Sequence, residues 1–212
     1  MKIGIIGSGT FGQVLGAGFS SRNHEVQIGT RDPKNERVQS WASMVRTALG
    51  DFAETAAFGE VLVLATLWSG TENAIRLAGP QNFSGKIILD VTNPLSFTPN
   101  EPPSLSIGHT DSAGEQVQRW LPGAKVVKVF NMVGSSHVIQ PDFPGGPPDM
   151  FICGNDEEAK KTAARFCQDF GWPVIDMGDI KSSRLLEPLA ILWMLYGIRT
   201  GSWNHAFKLL RK

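Results

Sequence analysis

The sequence predicts a doubly wound α/β fold: a parallel sheet completed by extra C-terminal strands and followed by a C-terminal helix. Three observations carry this. Short apolar runs suited to strands buried on both faces recur at Lys2–Ile6, Glu25–Gly29, Glu60–Thr66, Lys86–Val91 and Lys125–Phe130. They alternate with stretches of helical periodicity, the pattern of crossovers between parallel strands. The first run passes directly into Gly7-Ser8-Gly9-Thr10-Phe11-Gly12, a G-x-G-x-x-G sequence set between a strand and a helix. In that setting Gly7 makes a tight turn, Gly9 lets the backbone approach a pyrophosphate, and Gly12 lets the helix sit close on the strand. The anion would rest on the first amides of the helix. Taken alone, the motif also fits a glycine turn with no ligand; the buried strand before it points to a nucleotide site.

In chain order, Gln13 to Ser21 repeats apolar or small residues at helical spacing, and Glu25–Gly29 is the second strand. Asp32-Pro33 predicts the opening of a polar helix running to about Arg46, because proline suits a first helical turn and aspartate its positive end. A third strand is expected near Arg46–Leu49 and a short helix over Phe52–Phe58. A helix over Gly70–Leu77 separates the two most apolar strands. Thr92 to Ser106, rich in proline, serine and asparagine, reads as a loop. A helix over Asp111–Leu121 follows, in which Ser112 and Glu115 resemble a capping box. The proline- and glycine-rich stretch Gln140–Asp149 divides a nucleotide-binding part, residues 1–140, from a smaller part, 141–212. The smaller part adds strands at Met150–Cys153 and Pro173–Asp176 and a helix over Asp156–Phe170. Its last segment, Leu185–Gly197, is apolar nearly all round, which predicts burial in the monomer or across a subunit interface. As a membrane span it fails, since ~20 apolar residues are needed and Glu187 and Pro188 interrupt it.

Charge and cysteine content exclude several classes. The 20 basic and 20 acidic side chains balance, so nothing draws the chain toward nucleic acid or an anionic membrane. Lys2–Ile6 is too short for the apolar region of a signal peptide, so none is expected, and the chain's two cysteines fit a cytoplasmic protein. Cys153 and Cys167 lie outside any metal-binding spacing and read as reduced core thiols; neither a disulfide nor a metal site is expected.

Ligands of an open parallel sheet bind beyond the carboxyl ends of its strands. Here those ends are the glycine loop, Gly29-Thr30-Arg31, Thr66-Leu67-Trp68, Thr92-Asn93-Pro94 and Asn131-Met132-Val133. The second end bears on the cofactor. An NAD site places an acid there for the ribose 2′-hydroxyl, about 20 residues beyond the motif. This chain has Thr30 and Arg31, with Lys34 and Arg37 following. A hydroxyl next to a guanidinium suits the 2′-phosphate of NADP(H), which accepts bidentate charged hydrogen bonds. Asp32 keeps the other reading open, because a slip of one residue would make it the ribose ligand of an NAD site.

Together, Gly7–Gly12, Gly29-Thr30-Arg31-Asp32-Pro33, Asp90-Val91-Thr92-Asn93-Pro94, Ser112-Ala113-Gly114-Glu115, Lys128-Val129-Phe130-Asn131, Cys153-Gly154-Asn155-Asp156 and Ser183-Arg184-Leu185-Leu186-Glu187 resemble the NADPH:F420 oxidoreductase family. The same pattern is similar to the oxidoreductase domain of the STEAP metalloreductases. The resemblance covers nearly the whole chain. It implies a Rossmann domain, NADP(H) as hydride donor, coenzyme F420, FMN or FAD as acceptor, and a homodimer. It also implies that Ser8, Thr10 and Phe11 meet the pyrophosphate and that Thr30, Arg31 and Lys34 meet the 2′-phosphate. Thr66, Leu67, Trp68, Asn93 and Pro94 would line the ribose and nicotinamide, with Asn131 to Val133, Leu186 and Leu189 walling the acceptor.

Hydride transfer between stacked rings needs distance and orientation rather than a proton relay. No Ser/His/Asp or paired-carboxylate pattern stands out, so no catalytic side chain is assigned; of His24, His109, His137 and His205, one just after a strand end, such as His137, could touch a substrate, but a surface or loop position is the preferred reading. Two rivals remain at this level. One is an imine or pyrroline-carboxylate reductase, which needs a large helical substrate domain; the other is a nucleotide-sensing module without chemistry.

Overall fold

The computed structural model describes residues 1–212. Its strands are β1 (Lys2–Ile6), β2 (Glu25–Gly29), β3 (Ala48–Gly50), β4 (Val61–Leu64), β5 (Ile87–Asp90), β6 (Leu95–Ser96), β7 (Ser104–Leu105), β8 (Lys125–Lys128), β9 (Met150–Gly154) and β10 (Val174–Asp176). The helices are α1 (Thr10–Ser20), α2 (Glu36–Val45), α3 (Phe52–Phe58), α4 (Trp68–Ala78), α5 (Ala113–Trp120), α6 (Glu157–Asp169) and α7 (Ser183–Thr200). Eight strands make one sheet in the order β10-β9-β8-β5-β4-β1-β2-β3, and β6 pairs with β7 as a separate hairpin. The chain leaves β1 toward β2 and β3 and returns to β4 on the other side. That reversal opens a crevice between β1 and β4, where such sheets bind ligands.

Burial explains the order. Ile3, Ile5 and Ile6 of β1 and all four residues of β4 are at most 1% exposed, as runs of apolar residues must be when helices cover both faces. A single core of 42 buried residues includes these and also Met150, Ile152, Phe166 and Trp172, so apolar packing continues past residue 140. No helix is long and apolar enough to cross a membrane.

Several local expectations are corrected. The sheet is parallel from β3 to β8, but β9 runs antiparallel to β8. A parallel neighbour needs a long crossover, usually helical, and no helix lies between β8 and β9. The second helix starts at Glu36, not at Asp32-Pro33. Asn35 caps it, its Oδ1 accepting from the amides of Arg37 and Val38, while Asp32 closes a turn by accepting from the Lys34 amide at 3.1 Å. Arg46, at φ 55°, ends that helix in the left-handed conformation, which delays β3 to Ala48. Helix α4 begins at Trp68, earlier than expected. The capping box at Ser112 is half made: Ser112 accepts from the Glu115 amide, but the Glu115 carboxylate turns to the Ser112 hydroxyl and to Arg184. A complete box forms instead at Asp51 and Glu54.

Helix α7 is covered on one side within the monomer. It buries Leu186, Glu187, Ala190, Trp193 and Gly197, and exposes Leu185, Leu192, Tyr196 and Ile198.

Candidate functional site

A cleft of about 610 Å³ opens at the β1/β4 crevice. Its floor is the glycine loop, and the loop's three glycines do different work. Gly7 sits at φ +123°, and a Cβ there would collide with the Ala65 carbonyl; one at Gly12 would collide with the Gly7 carbonyl. Both are required by the fold. Gly9 has an ordinary extended conformation, φ −69° and ψ 169°, and a Cβ there meets nothing within 4 Å. The protein leaves that space open, and the space belongs to the cleft.

Two helices aim their N-terminal ends at the same cleft. Thr10 and Phe11 of α1 line it from one side, and Ser69, Gly70, Asn73 and Ala74 of α4 from the other. Neither helix has a side chain capping its first amides. Unpaired N–H groups and the positive end of each helix dipole therefore face a common space suited to an anion. At the β2 end, Thr30 and the exposed Arg31 complete the lining. Ser8 Oγ donates to Thr30 Oγ1 at 3.1 Å, and Thr30 Oγ1 accepts from the Asp32 amide at 3.3 Å, which ties the glycine loop to the Arg31 turn. An open Cβ position, two uncapped helix ends and a guanidinium on one cleft fit a dinucleotide phosphate.

The cleft brings together Gly7, Ser8, Gly9, Thr10, Phe11, Thr30, Arg31, Thr66 and Leu67. Gly12 lies beneath it, and Lys34 is exposed beyond the Asp32 turn. Trp68 stacks on Trp120, ring centroids 5.4 Å apart, and is not part of the lining. Asn93, Pro94 and Asn131 gather at the neighbouring ends of β5 and β8. Asn93 Nδ2 donates to the Asn131 carbonyl at 2.7 Å, and Asn131 Nδ2 donates to Asn93 Oδ1 at 3.0 Å. Asn131 Oδ1 is buried without a partner. The Pro94 carbonyl accepts from the amide and hydroxyl of Ser106, closing the β6/β7 hairpin.

Sequence reasoning missed the α4 residues on the cleft, and it missed a buried ionic group beneath the Asn93 loop. Lys128 Nζ lies 2.7 Å from Asp90 Oδ2 and 3.0 Å from Glu187 Oε1, with all three side chains at most 1% exposed. Burial opposes the ammonium, but Asp90 and Glu187 outweigh it and hold the Lys128 pKa above its ordinary value. A signal existed: Asp90 and Lys128 are opposite charges in apolar strands, and they are register partners across β5 and β8.

No histidine lines the cleft. His109 is exposed in a turn, His137 is held by Asn204 at 2.9 Å, His205 stacks on Trp193, and His24 packs against Phe19 and Phe166. Cys153 and Cys167 are buried free thiols, and burial pushes the Cys153 pKa up to about 11.

Residues 2–94 match the family described as NADP oxidoreductase coenzyme F420-dependent. The F420-dependent NADP reductase of Methanocaldococcus jannaschii is 30% identical over 213 residues, covering 93% of this chain and 92% of that protein. The metalloreductase STEAP3 of Rattus norvegicus is 30% identical over 193 residues, covering 90% of this chain, which spans only 37% of that relative's length. Among solved structures, an Arthrobacter sp. FB24 protein provisionally assigned as an F420-dependent NADP reductase superposes with TM-score 0.94, at 38% identity over 100% of both chains. An imine reductase of Aspergillus terreus, at TM-score 0.66 and 18% identity over 94% of this chain and 63% of its own, shares the fold alone. The archaeal relative matches nearly end to end at that identity, and the chain belongs to the family of coenzyme F420-dependent NADP oxidoreductases.

Proposed function

We propose that this protein binds NADP(H) in the β1/β4 cleft and passes hydride between the nicotinamide and a deazaflavin of the coenzyme F420 type. The observation that carries the nucleotide half is the meeting of Gly9's open Cβ position with Arg31 on one cleft. The register favours NADP(H), because Arg31 lines the cleft while the Asp32 carboxylate is engaged in its own turn. The names of the archaeal and Arthrobacter relatives support the deazaflavin half. The bound nucleotide supplies a hydride; the chain's own residues bind and orient. The amides at the starts of α1 and α4 hold the pyrophosphate, and Arg31 with Lys34 takes the 2′-phosphate. Thr66, Leu67, Asn93 and Pro94 set the ribose and nicotinamide, and no side chain has to move a proton. The exposed apolar side of α7, with Leu185, Leu192 and Tyr196, supports a homodimer. The buried free thiols support a reducing, cytoplasmic setting.

Arg31→Ala tests the nucleotide assignment. The lost charged hydrogen bonds are worth roughly 1.5 to 3 kcal/mol each, so NADPH should weaken by at least about tenfold and NADH should not change. Fluorescence titration of both reduced nucleotides at one salt concentration measures this. Equal weakening of both, or selective loss of NADH in Asp32→Ala, would make the site an NAD site. Alanine at His109 or His137 should keep the hydride step within about tenfold, a change below ~1.4 kcal/mol. A loss of several hundredfold in single turnover would reveal an acid or base absent from this reading.

A further inference from the structure

The buried charges Asp90, Lys128 and Glu187 grip one residue from every side. Asp90 Oδ1 accepts from the Thr92 amide at 2.9 Å and from its hydroxyl at 2.7 Å, and Lys128 Nζ donates to the Thr92 carbonyl at 2.8 Å. Every polar atom of Thr92 is thus fixed by the ionic group, and Thr92 directly precedes Asn93 and Pro94. Glu187 anchors the other end. Its two carboxylate oxygens accept from the Ala113 and Gly114 amides, each at 3.0 Å, so the first turn of α5 is docked on α7 through this side chain.

A second rung runs parallel to the first. Asn131 Nδ2 donates to the carbonyl of Leu186, the neighbour of Glu187, at 2.8 Å, and the same nitrogen donates to Asn93. Two consecutive residues of α7 are therefore joined to two consecutive residues after β5, one pair through Lys128 and Asp90, the other through Asn131. Stability alone does not call for this. Burying charges costs several kcal/mol per ion, and apolar side chains of the same volume generally fold as well or better. What an ionic clamp adds is direction, because each charged hydrogen bond fixes an angle as well as a distance.

We propose that Glu187 and Lys128 are positioning residues for hydride transfer: with Asp90 they clamp Thr92 and so hold the Asn93-Pro94 loop in fixed register with α7, without touching nucleotide or acceptor. The inference rests on the hydride-transfer reading above. A loop displaced by about 1 Å can slow a well-oriented reaction on the order of a hundredfold while leaving distant binding contacts intact. The glycine loop and Arg31 follow β1 and β2, two and three strands from β5, so nucleotide affinity and hydride rate should separate.

The experiment compares NADPH affinity, thermal midpoint and the single-turnover rate of F420 reduction in the wild type and two variants. Glu187→Gln keeps the shape and an acceptor for the α5 amides, and it leaves Lys128 with one anion. The triple variant Asp90→Asn, Lys128→Met, Glu187→Met removes all charge and leaves no buried ion unpaired. The expected result is a Kd for NADPH within about twofold of wild type and a hydride step slower by at least about tenfold in either folded variant. A hydride rate within twofold of wild type in a folded variant would overturn the proposal. So would a parallel loss of affinity and rate, or the failure of both variants to fold, since each assigns the group to stability alone. A wild type that binds no NADPH or reduces no F420 would instead remove the reading of the site on which this one stands.

Discussion

Gly9→Val should abolish measurable NADPH binding and leave the protein folded. The backbone at Gly9 is extended, a conformation valine adopts readily, and nothing within 4 Å resists a side chain there. Gly9 is also the N-cap of α1, so valine costs that helix about 1 kcal/mol or less. The side chain instead fills the space left for the pyrophosphate and shields the amides that would bind it. The expected loss is at least about a hundredfold, some 2.7 kcal/mol of binding. Titration of the variant with NADPH, alongside its circular dichroism, measures both halves. Gly12→Val is the contrast: a Cβ there collides with the Gly7 carbonyl, so the fold and the site are lost together.

Lys128→Ala should strongly destabilise the fold. It leaves the Asp90 and Glu187 carboxylates buried with no cation between them, and it strips the Thr92 carbonyl of its donor. Removing one member of a buried ion pair costs about 3 to 5 kcal/mol, because the remaining charge keeps its desolvation penalty and loses its partner. Urea unfolding should show the midpoint falling at unchanged slope. A midpoint within a few tenths of molar of the wild type would mean that water reaches the carboxylates and that they are not held as the structure describes.

What was legible in the chain follows from how local each signal is. The β1 run and the glycine loop announce themselves, because burial on both faces demands unbroken apolar residues and a tight turn demands Gly7. The start of α2 was less legible because Asp32 and Asn35 are both good caps three residues apart, and Pro33 favoured the wrong one. Strand direction leaves no mark in composition, so β9 reads like any buried strand; the lack of a helix between Phe130 and Met150 was the available hint. The far wall of the cleft, Asn73 and Ala74, comes from a helix face whose aim is set only by packing on the sheet. Lys128 was hidden because an apolar run marks a buried strand without showing what a charge inside it meets. Its register partner Asp90 would have corrected that, once β5 and β8 were placed side by side.

The central claim, that this cleft presents NADPH for hydride transfer to a deazaflavin, is tested most directly by anaerobic stopped-flow mixing of the NADPH-loaded protein with coenzyme F420, with FMN, FAD and a ferric chelate in parallel. The account predicts stoichiometric oxidation of NADPH with loss of the oxidised deazaflavin absorbance, and much slower reaction with the other acceptors. Tight NADPH binding with no oxidation by any acceptor would contradict it and leave a nucleotide-sensing protein in its place.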